Sequence, residues 1–410
     1  MAAAVGQAIG DAPVAAQAGA LQGGSFKSGT SLVEVDAMIL DRDGHFVANV
    51  RADDLELFED GKRQTIQQFY LVSHARGSRS DLAAEATVGA VDTRRIFVLL
   101  FDEGSLATDS LLRVRQGAEA FVRDQLGPED VGGVFVNGGM FHGRLTSDKN
   151  ELLAGIATVR PAFDNRPGLL ETFRAFPRIG SEVDAARIAD GARELVDTLG
   201  TQACNEDPGE CQVAGGLQQV ENLIQQKSKF YVRQARMLTG QTLQNLQAVA
   251  RGLSRLPGRK TVVFISDGFF VEDSRGALQL IAAQAARGGT TIYSIDGRGL
   301  VNTMSPNPDV VRRERARSTV FDTGEDGPAI LTRETGGLRV HNLDDMSRAF
   351  GLVVRDTSTY YVIGYQPANL VMDGKFRRIQ VKAKAGQLTV RARSGYVATT
   401  LPPQSPMWGK

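Results

Sequence analysis

Two acidic residues follow a strongly apolar stretch of the chain. Residues 96–101 read IFVLLF, and Asp102 and Glu103 come next on a Gly-Ser turn. A second apolar stretch, KTVVFI, ends in the same way, with Asp267 on a turn. Parallel strands of α/β proteins keep their chemistry at their carboxyl ends, so we expect Asp102 and Asp267 to be neighbours on one edge of a sheet. Such carboxylates hold a metal ion, take part in catalysis, or cap helix N-termini and complement the helix dipoles.

Little else in the sequence suits a hydrolase or a phosphotransfer enzyme. It contains no Gly-x-Ser-x-Gly nucleophile elbow and no glycine-rich phosphate loop. An acidic pocket of the phospho-acceptor type, built on Asp102 and Glu103, would need a lysine at the end of a later strand. The corresponding segments offer Arg298, which replaces a lysine only at a geometric cost. We therefore expect a protein that is not an enzyme, with an acidic-pocket hydrolase or phosphotransfer protein as an alternative.

Composition excludes several other classes of protein. The chain has 410 residues, enough for two or three domains with sizeable cores. Lys plus Arg balances Asp plus Glu, 47 against 47, which argues against a nucleic-acid binder and against a polybasic membrane anchor. No run of about eighteen apolar residues occurs, so no transmembrane segment is predicted.

The two cysteines, Cys204 and Cys211, lie close together in CNEDPGEC. This spacing favours a small disulfide-closed loop. Two free thiols on a surface loop are the alternative, and a zinc site would lack two further ligands nearby. A disulfide indicates an oxidising compartment, so we expect a secreted, periplasmic or cell-surface protein. Residues 1–24 lack the basic start and apolar core of a signal peptide. We expect a disordered leader over residues 1–27, or a mature start whose signal has been removed.

Hydrophobic alternation predicts two separate β regions. One covers residues 28–74, and the other covers residues 359–400 with three strands. Each is too short to bury a good core alone. We therefore expect the two to pack together as one β-sandwich-like module. The Pro-rich tail at residues 401–410 has no evident role.

Between the β regions, a linker at residues 75–93 leads into alternating strands and helices over residues 94–358. This order predicts an α/β fold with a doubly wound, mostly parallel sheet and helices on both faces. Residues 163–257 are predicted as a helical insertion. Its second half has apolar residues at helical spacing, which favours an amphipathic helix packed on the domain. A partner-binding coiled coil is the alternative, although Gly240 interrupts an imperfect heptad.

These motifs resemble the von Willebrand factor A (VWA) fold. The strand ending FDEGS, the later strand ending ISDG and the final TGG-strand-helix segment carry the resemblance in the domain. The flanks are similar to those of VWFA-related bacterial proteins often found in acidobacteria, through VEVDAMILDRDGHFVANVRADDLELFEDGKRQTIQQF and TYYVIGYQPANLVMDGKFRRIQVKAKAGQLTVRARSGYV. The resemblance covers nearly all of residues 28–398. It implies a VWA-like domain whose characteristic function is adhesion, through a metal-ion-dependent site at the carboxyl ends of the parallel strands.

The family's metal motif is carried over only in part. It consists of Asp-x-Ser-x-Ser on the first strand's turn, a Thr from a later loop, and an Asp from the fourth strand's turn. Asp102 matches the first Asp and Asp267 the last, but Gly104 and Leu106 occupy the two Ser positions. Ser105 lies between them, so the resemblance implies Asp102, Ser105 and Asp267 as ligands of Mg²⁺ or Mn²⁺, cations that take hard oxygen ligands.

Two other positions of this implied site are open. Glu103 would add a carboxylate if it faced the ion. The Thr has no clear equivalent, and its expected region offers only Asp164, Asn165 and Thr172.

The resemblance implies an exported, non-enzymatic protein of the adhesion type that binds an unknown protein ligand through a degenerate metal site. Its ligand-facing surface is expected at two turns. One covers residues 102–105, with Glu103 and Gly104 as partner-binding residues, and the other covers residues 267–270. Phe269 and Phe270 are expected either as exposed anchors for the partner or as core packing under the helical insertion. The alternative is a structural or assembly protein without a metal site, in which the insertion mediates contacts.

Overall fold

The computed structural model describes residues 32–73, 94–162, 165–256, 258–271, 274–300, 326–384 and 386–399. The predicted leader, linker and tail lie outside these residues. No helix among the described residues combines the length and the apolar composition needed to cross a bilayer.

The strands fall into three sheets, and their bounds follow in chain order. They are β1 (Val33–Leu40), β2 (Leu55–Glu59), β3 (Lys62–Gln64), β4 (Ile66–Ser73), β5 (Ile96–Phe101), β6 (Val131–Val136), β7 (Gly139–Met140), β8 (Lys260–Ile265), β9 (Thr290–Ile295), β10 (Arg339–Val340), β11 (Thr359–Tyr365), β12 (Phe376–Ala383), β13 (Thr389–Ala392) and β14 (Gly395–Val397).

The helices flank the central sheet or build the insertion. They are α1 (Thr108–Ala120), α2 (Lys149–Thr158), α3 (Arg166–Glu171), α4 (Glu182–Ala189), α5 (Arg193–Glu206), α6 (Pro208–Val213), α7 (Leu217–Leu253), α8 (Arg275–Arg287), α9 (Asp326–Thr335) and α10 (Met346–Ser358).

The central sheet is mixed and has the strand order β10-β9-β8-β5-β6-β7. Its strands run parallel except β7, which pairs antiparallel with β6. Every residue of β5, β6, β8 and β9 is buried, as expected of strands covered on both faces. Alternate residues of β5 therefore enter different cores: Phe97 packs with α1 and α10, and Val98 packs with α7 and α8. The overall architecture is thus mixed α/β.

Strands from the two ends of the chain share the other two sheets, which are antiparallel. One has the order β13-β1-β11-β4 and the other β14-β12-β2-β3. In the first, Val35 lies opposite Ile363, and in the second Leu57 lies opposite Val381. Side chains from both sheets form one hydrophobic core. The early and late β regions therefore form a single two-sheet module, and the α/β domain is inserted in the sequence between them.

Polar contacts join this β module to the α/β domain. The hydroxyl of Tyr293 in β9 donates to Asp356 of α10 at 2.6 Å, and Arg391 of β13 pairs with the same carboxylate. The guanidinium of Arg259 lies 3.0 Å from Asp36 and stacks over the Tyr360 ring at 3.9 Å. Strands β1 and β11 therefore contact Arg259, just before β8, and β13 contacts α10.

Helices α3 to α7 form the insertion, between α2 and β8. The 37 residues of α7 run without a break through Gly240. One face of α7 is buried, with Val220, Ile224, Tyr231, Leu238, Leu246, Val249 and Leu253 among its members. The Cys204–Cys211 disulfide is confirmed. It joins two helices rather than closing a surface loop, because Pro208 starts α6 directly after α5.

Two glycines allow a matched test of this packing. A Cβ at Gly337 would overlap the backbone carbonyl of Ile292, whereas nothing lies within 4 Å of a Cβ at Gly240. We expect Gly337→Ala to lower the free energy of unfolding by roughly 1–3 kcal/mol or more. Gly240→Ala in α7 should raise it by about 0.5–1 kcal/mol, because alanine is the better helix former. Urea unfolding of both variants measures this, and a stable Gly337→Ala variant would contradict the close approach of Gly337 to β9.

Candidate functional site

The turns after β5 and β8 lie side by side on the central sheet. Phe101 of β5 is in register with Ile265 of β8, and the backbone N–H of Asp102 donates to the Ile265 carbonyl at 2.9 Å. Ser266 and Asp267 follow at the same edge. The structure therefore brings Asp102 and Asp267 together at the carboxyl ends of two neighbouring strands.

Three hydroxyl groups surround the carboxylate of Asp102, which is 4% exposed. Thr242 donates to Oδ1 at 2.8 Å, and Ser266 donates to Oδ2 at 2.9 Å. The Ser105 hydroxyl lies 2.8 Å from the Ser266 hydroxyl and 3.1 Å from the Asp102 carbonyl oxygen. We call Asp102, Ser105, Thr242, Ser266 and Asp267 the edge cluster. Both oxygens of Asp102 are thus already hydrogen-bonded within the protein.

Opposing effects act on the pKa of Asp102. Burial is the largest of them and raises the pKa above its ordinary value. The hydroxyls of Ser105, Thr242 and Ser266 lower it, as does the positive charge of Arg166. The hydroxyls therefore favour the ionised form that burial disfavours.

Asp267 lies at the N-terminus of α1. Its Oδ2 accepts a hydrogen bond from the backbone N–H of Ala107 at 3.0 Å, and its negative charge complements the helix dipole there. Its Oδ1 is buried without a hydrogen-bond partner among the described residues. Burial raises the pKa of Asp267 to about 6, against the opposing effect of the Ala107 and Ser110 hydrogen bonds. Of the roles expected for Asp267, the structure shows the helix-capping contact directly.

Glu103 does not join the edge cluster, so it adds no third carboxylate beside Asp102 and Asp267. Its side chain accepts backbone hydrogen bonds from Asn137 at 2.7 Å and Arg160 at 3.3 Å. Its neighbour Gly104 accepts from the Arg166 backbone N–H at 2.8 Å. These residues bind other loops of the domain rather than projecting outward toward a partner.

The expectation of Phe269 and Phe270 as exposed anchors is wrong, because both rings are buried. Phe269 packs edge-on against Phe264 with ring centroids 6.0 Å apart. Phe270 packs against Tyr231 of α7, and its carbonyl accepts from Thr239 at 2.7 Å. The other expectation, that Phe269 and Phe270 pack in the core under the helical insertion, agrees with the structure.

A buried ion pair joins the insertion to the same edge. Arg166 donates to Glu182 at 2.6 and 3.2 Å and lies 3.5 Å from the Gly268 carbonyl. The Tyr231 hydroxyl also bonds to Glu182. Arg166 therefore contacts both turns, through the Gly104 and Gly268 carbonyls, while its charge is paired with the insertion.

Three residues at this edge were not expected from the sequence: Thr242, Ser266 and Arg166. Ser266 stands directly before Asp267, and Thr242 lies on the buried face of α7 between Leu238 and Leu246, where a polar residue is a signal in itself. Of the residues considered for the Thr position, Asn165 caps α3 and Thr172 donates to Leu169 within that helix. Asp164 lies outside the described residues.

A separate acidic group occupies the first hairpin turn. Carboxylate and imidazole atoms of Asp41, Asp43 and His45 lie within 4.8 Å of one another, at a spacing that could hold a metal ion. Asp41 accepts the backbone N–H groups of Asp43 and His45 at 2.9 and 2.8 Å. That is the hydrogen bonding of an Asx turn, and it accounts for this group without an ion.

Comparisons with known proteins do not assign the chain to a family. No protein-family model matches it, and no curated protein matches it. Several solved structures match it, and the three described here have low similarity to it. An aerotolerance-related membrane protein of Bacteroides fragilis, carrying multiple mutations to serine, is 13% identical, with a TM-score of 0.34 over 64% of this chain and 98% of that one.

The other two similarities are of the same order. The conserved hypothetical protein BatB of Bacteroides thetaiotaomicron is 14% identical, with a TM-score of 0.33 over 64% of this chain and 98% of that one. Proximal thread matrix protein 1 of the mussel byssus is 12% identical, with a TM-score of 0.28 over 64% of this chain and 47% of that one. Scores of this size carry no assignment of fold or function.

The raised pKa of Asp267 predicts a pH dependence of stability. The folded protein holds this proton up to about pH 6, whereas the unfolded chain releases it near pH 4. Stability therefore falls as pH rises from 4 to 6, because the charged form is disfavoured only in the folded state. We expect Asp267→Asn to remove roughly 2–3 kcal/mol of this fall between pH 4 and pH 7. Urea unfolding across that range measures it, with the exposed Asp197→Asn variant as control.

Removing one hydroxyl from Asp102 should be costly. We expect Thr242→Val to lower the free energy of unfolding by about 1–3 kcal/mol, because a buried carboxylate oxygen loses its hydrogen-bond donor. Thr198→Val on exposed α5, which loses only a bond to the Glu194 carbonyl, should change it by less than about 0.5 kcal/mol. Equal effects of the two substitutions in denaturant unfolding would show that Thr242 does not support Asp102.

Proposed function

We propose that this chain is an exported, non-enzymatic protein-binding module in which a VWA-like domain is carried on a two-sheet β module. The observation that supports this most is the position of α7, which contributes Thr242 to the edge cluster and covers it. The carboxyl edge of the sheet is then closed, and the surface presented to a partner on this side belongs to the insertion.

The contacts of the edge cluster support a role other than catalysis. Neither histidine nor lysine is a member of the cluster, and the neighbouring cation, Arg166, is paired with Glu182. The space between the edge and α7 is a cavity of about 10 Å³, bordered by Ser105, Arg166 and Thr242. That volume suits a single water, so a substrate has no room in the space between this edge and α7.

Export rests on the disulfide. Cys204 and Cys211 are bridged and no free cysteine remains in the chain. Disulfides persist in oxidising compartments, so the periplasm, the cell surface and the medium are the places where this helix-to-helix bridge would be maintained.

A divalent cation at the edge cluster is the second candidate, and the donor chemistry favours it. Two carboxylates and three hydroxyls are hard oxygen ligands of the kind that Mg²⁺ and Mn²⁺ take. The arrangement does not fit, however. Both oxygens of Asp102 already accept hydroxyl protons, and the positive charge of Arg166 acts on the same carboxylate. We therefore propose that hydroxyl protons and Arg166 take the place of the ion.

Calorimetric titration of Mg²⁺ and Mn²⁺ into the wild-type protein and Asp102→Ala tests this proposal. We expect no saturable heat that depends on Asp102, because its oxygens are satisfied internally. Saturable heat in the wild type that disappears in Asp102→Ala would overturn the metal-free proposal and favour metal-dependent adhesion. Asp41→Ala is the control, because any heat that it removes comes from the hairpin turn.

A further inference from the structure

The outer face of α7 carries a line of apolar side chains that the described part of the chain leaves partly exposed. Leu223, Phe230 and Met237 are 39%, 44% and 59% exposed. They follow one another at intervals of seven residues, so they lie on one side of the helix along about 21 Å. We call these three residues the outer stripe. A large phenyl ring and two long aliphatic side chains in a row exceed the scattered exposure that is normal for a surface.

The outer stripe lies in a basic helix, although the chain as a whole has no net charge. Lys229 and Arg233 are exposed and flank Phe230 in the sequence. No ion pair of either residue is formed among the described residues. Helix α7 as a whole has a net charge of +4, from Lys227, Lys229, Arg233, Arg236 and Arg251 against Glu221. A partner that covers the stripe must therefore bury apolar side chains and also supply negative charge.

We propose that the outer stripe is the docking surface for an amphipathic helix with acidic flanks, contributed by a partner protein. The proposal rests on the protein-binding function proposed above and names the chemistry of the partner. A seven-residue repeat returns one position of a helix to the same seam with a partner helix, and here the intervening seam positions, Gln226 and Arg233, are polar. Lys229 and Arg233 are four residues apart and therefore lie on the same side of the outer stripe. Glutamates along one side of the partner's apolar seam would face them, where opposite charges set partner choice.

Two other occupants fit the stripe less well. A second copy of this chain would bring Lys229 and Arg233 against their own equivalents, and like charges across an interface are unfavourable. An anionic membrane would satisfy the charge. Helices that lie in a membrane interface, however, bury a broad apolar face, whereas this stripe is one residue wide with Gln226 and Arg233 between its members.

The test uses the full chain and a designed peptide. The probe is a fluorescent amphipathic helix of about four heptads, with Leu at positions a and d and Glu at e and g. We expect saturable binding by fluorescence anisotropy that weakens as salt is added. Phe230→Gln should weaken it by about tenfold or more, because the central apolar contact is lost. A peptide with Lys in place of Glu should bind the wild type at least tenfold more weakly, and Lys229→Glu/Arg233→Glu should reverse the preference.

A matched control separates docking from general effects of surface apolarity. Leu112 on α1 is 57% exposed, and α1 packs on the other face of the central sheet from α7. We expect Leu112→Gln to leave peptide affinity unchanged. Thermal unfolding of Phe230→Gln should match the wild type, since an exposed ring contributes little to stability, so loss of binding cannot be attributed to loss of the fold.

Several outcomes would overturn the proposal. They are no saturable binding of the acidic peptide, equal binding of the lysine peptide, or binding that Phe230→Gln leaves intact. Vesicles of phosphatidylglycerol that bind through Phe230 when the peptide does not would make the stripe a lipid-binding surface. Concentration-dependent dimerisation that Phe230→Gln abolishes would assign it to a second copy. The cation titration at Asp102 does not involve the outer stripe, so the proposed function and this inference fail by separate measurements.

Discussion

A carboxylate removed from water must be compensated by hydrogen bonds or by opposite charge, and Asp102 meets this requirement with groups from separate parts of the chain. Ser105 belongs to its own turn, Ser266 follows β8 and lies 164 residues away, and Thr242 comes from α7 and lies 140 residues away. The edge cluster is therefore complete only when the central sheet and the insertion are both folded. Because Thr242 belongs to α7, hydrogen bonding of this buried carboxyl group depends on the position of α7.

The ion pair of Arg166 with Glu182 also ties the insertion to the carboxyl edge of the central sheet. Arg166 reaches the Gly104 carbonyl with its backbone and the Gly268 carbonyl with its guanidinium, while Tyr231 of α7 bonds to Glu182. A buried ion pair adds little net stability, but losing one partner is expensive because the other charge remains buried. The contact therefore specifies where the insertion sits over the edge. Phe270 is buried against the same Tyr231.

The central strands and the convergence of Asp102 with Asp267 could be predicted, because continuous apolar stretches that end in carboxylates indicate buried parallel strands and their common edge. The antiparallel β7 could not, since two residues are too few to show a period. The direction of Glu103 depends on backbone angles within a turn, which no hydrophobic pattern encodes. Thr242 could be placed on the buried face of α7 by periodicity. Its partner, far away in sequence, follows only from how the insertion folds back over the sheet.

The pairing of β1 with β11 constrains the biogenesis of the protein. Val35 faces Ile363, so about 330 residues must be translated before the first strand finds its neighbour. During that time β1 has an unpaired edge and an apolar face, which invite aggregation. Closing so long a loop is also slow, although the folded α/β domain shortens the search by fixing where β11 begins. A cell that exports this chain in an extended state would need a holding chaperone to protect β1 until the last strands arrive.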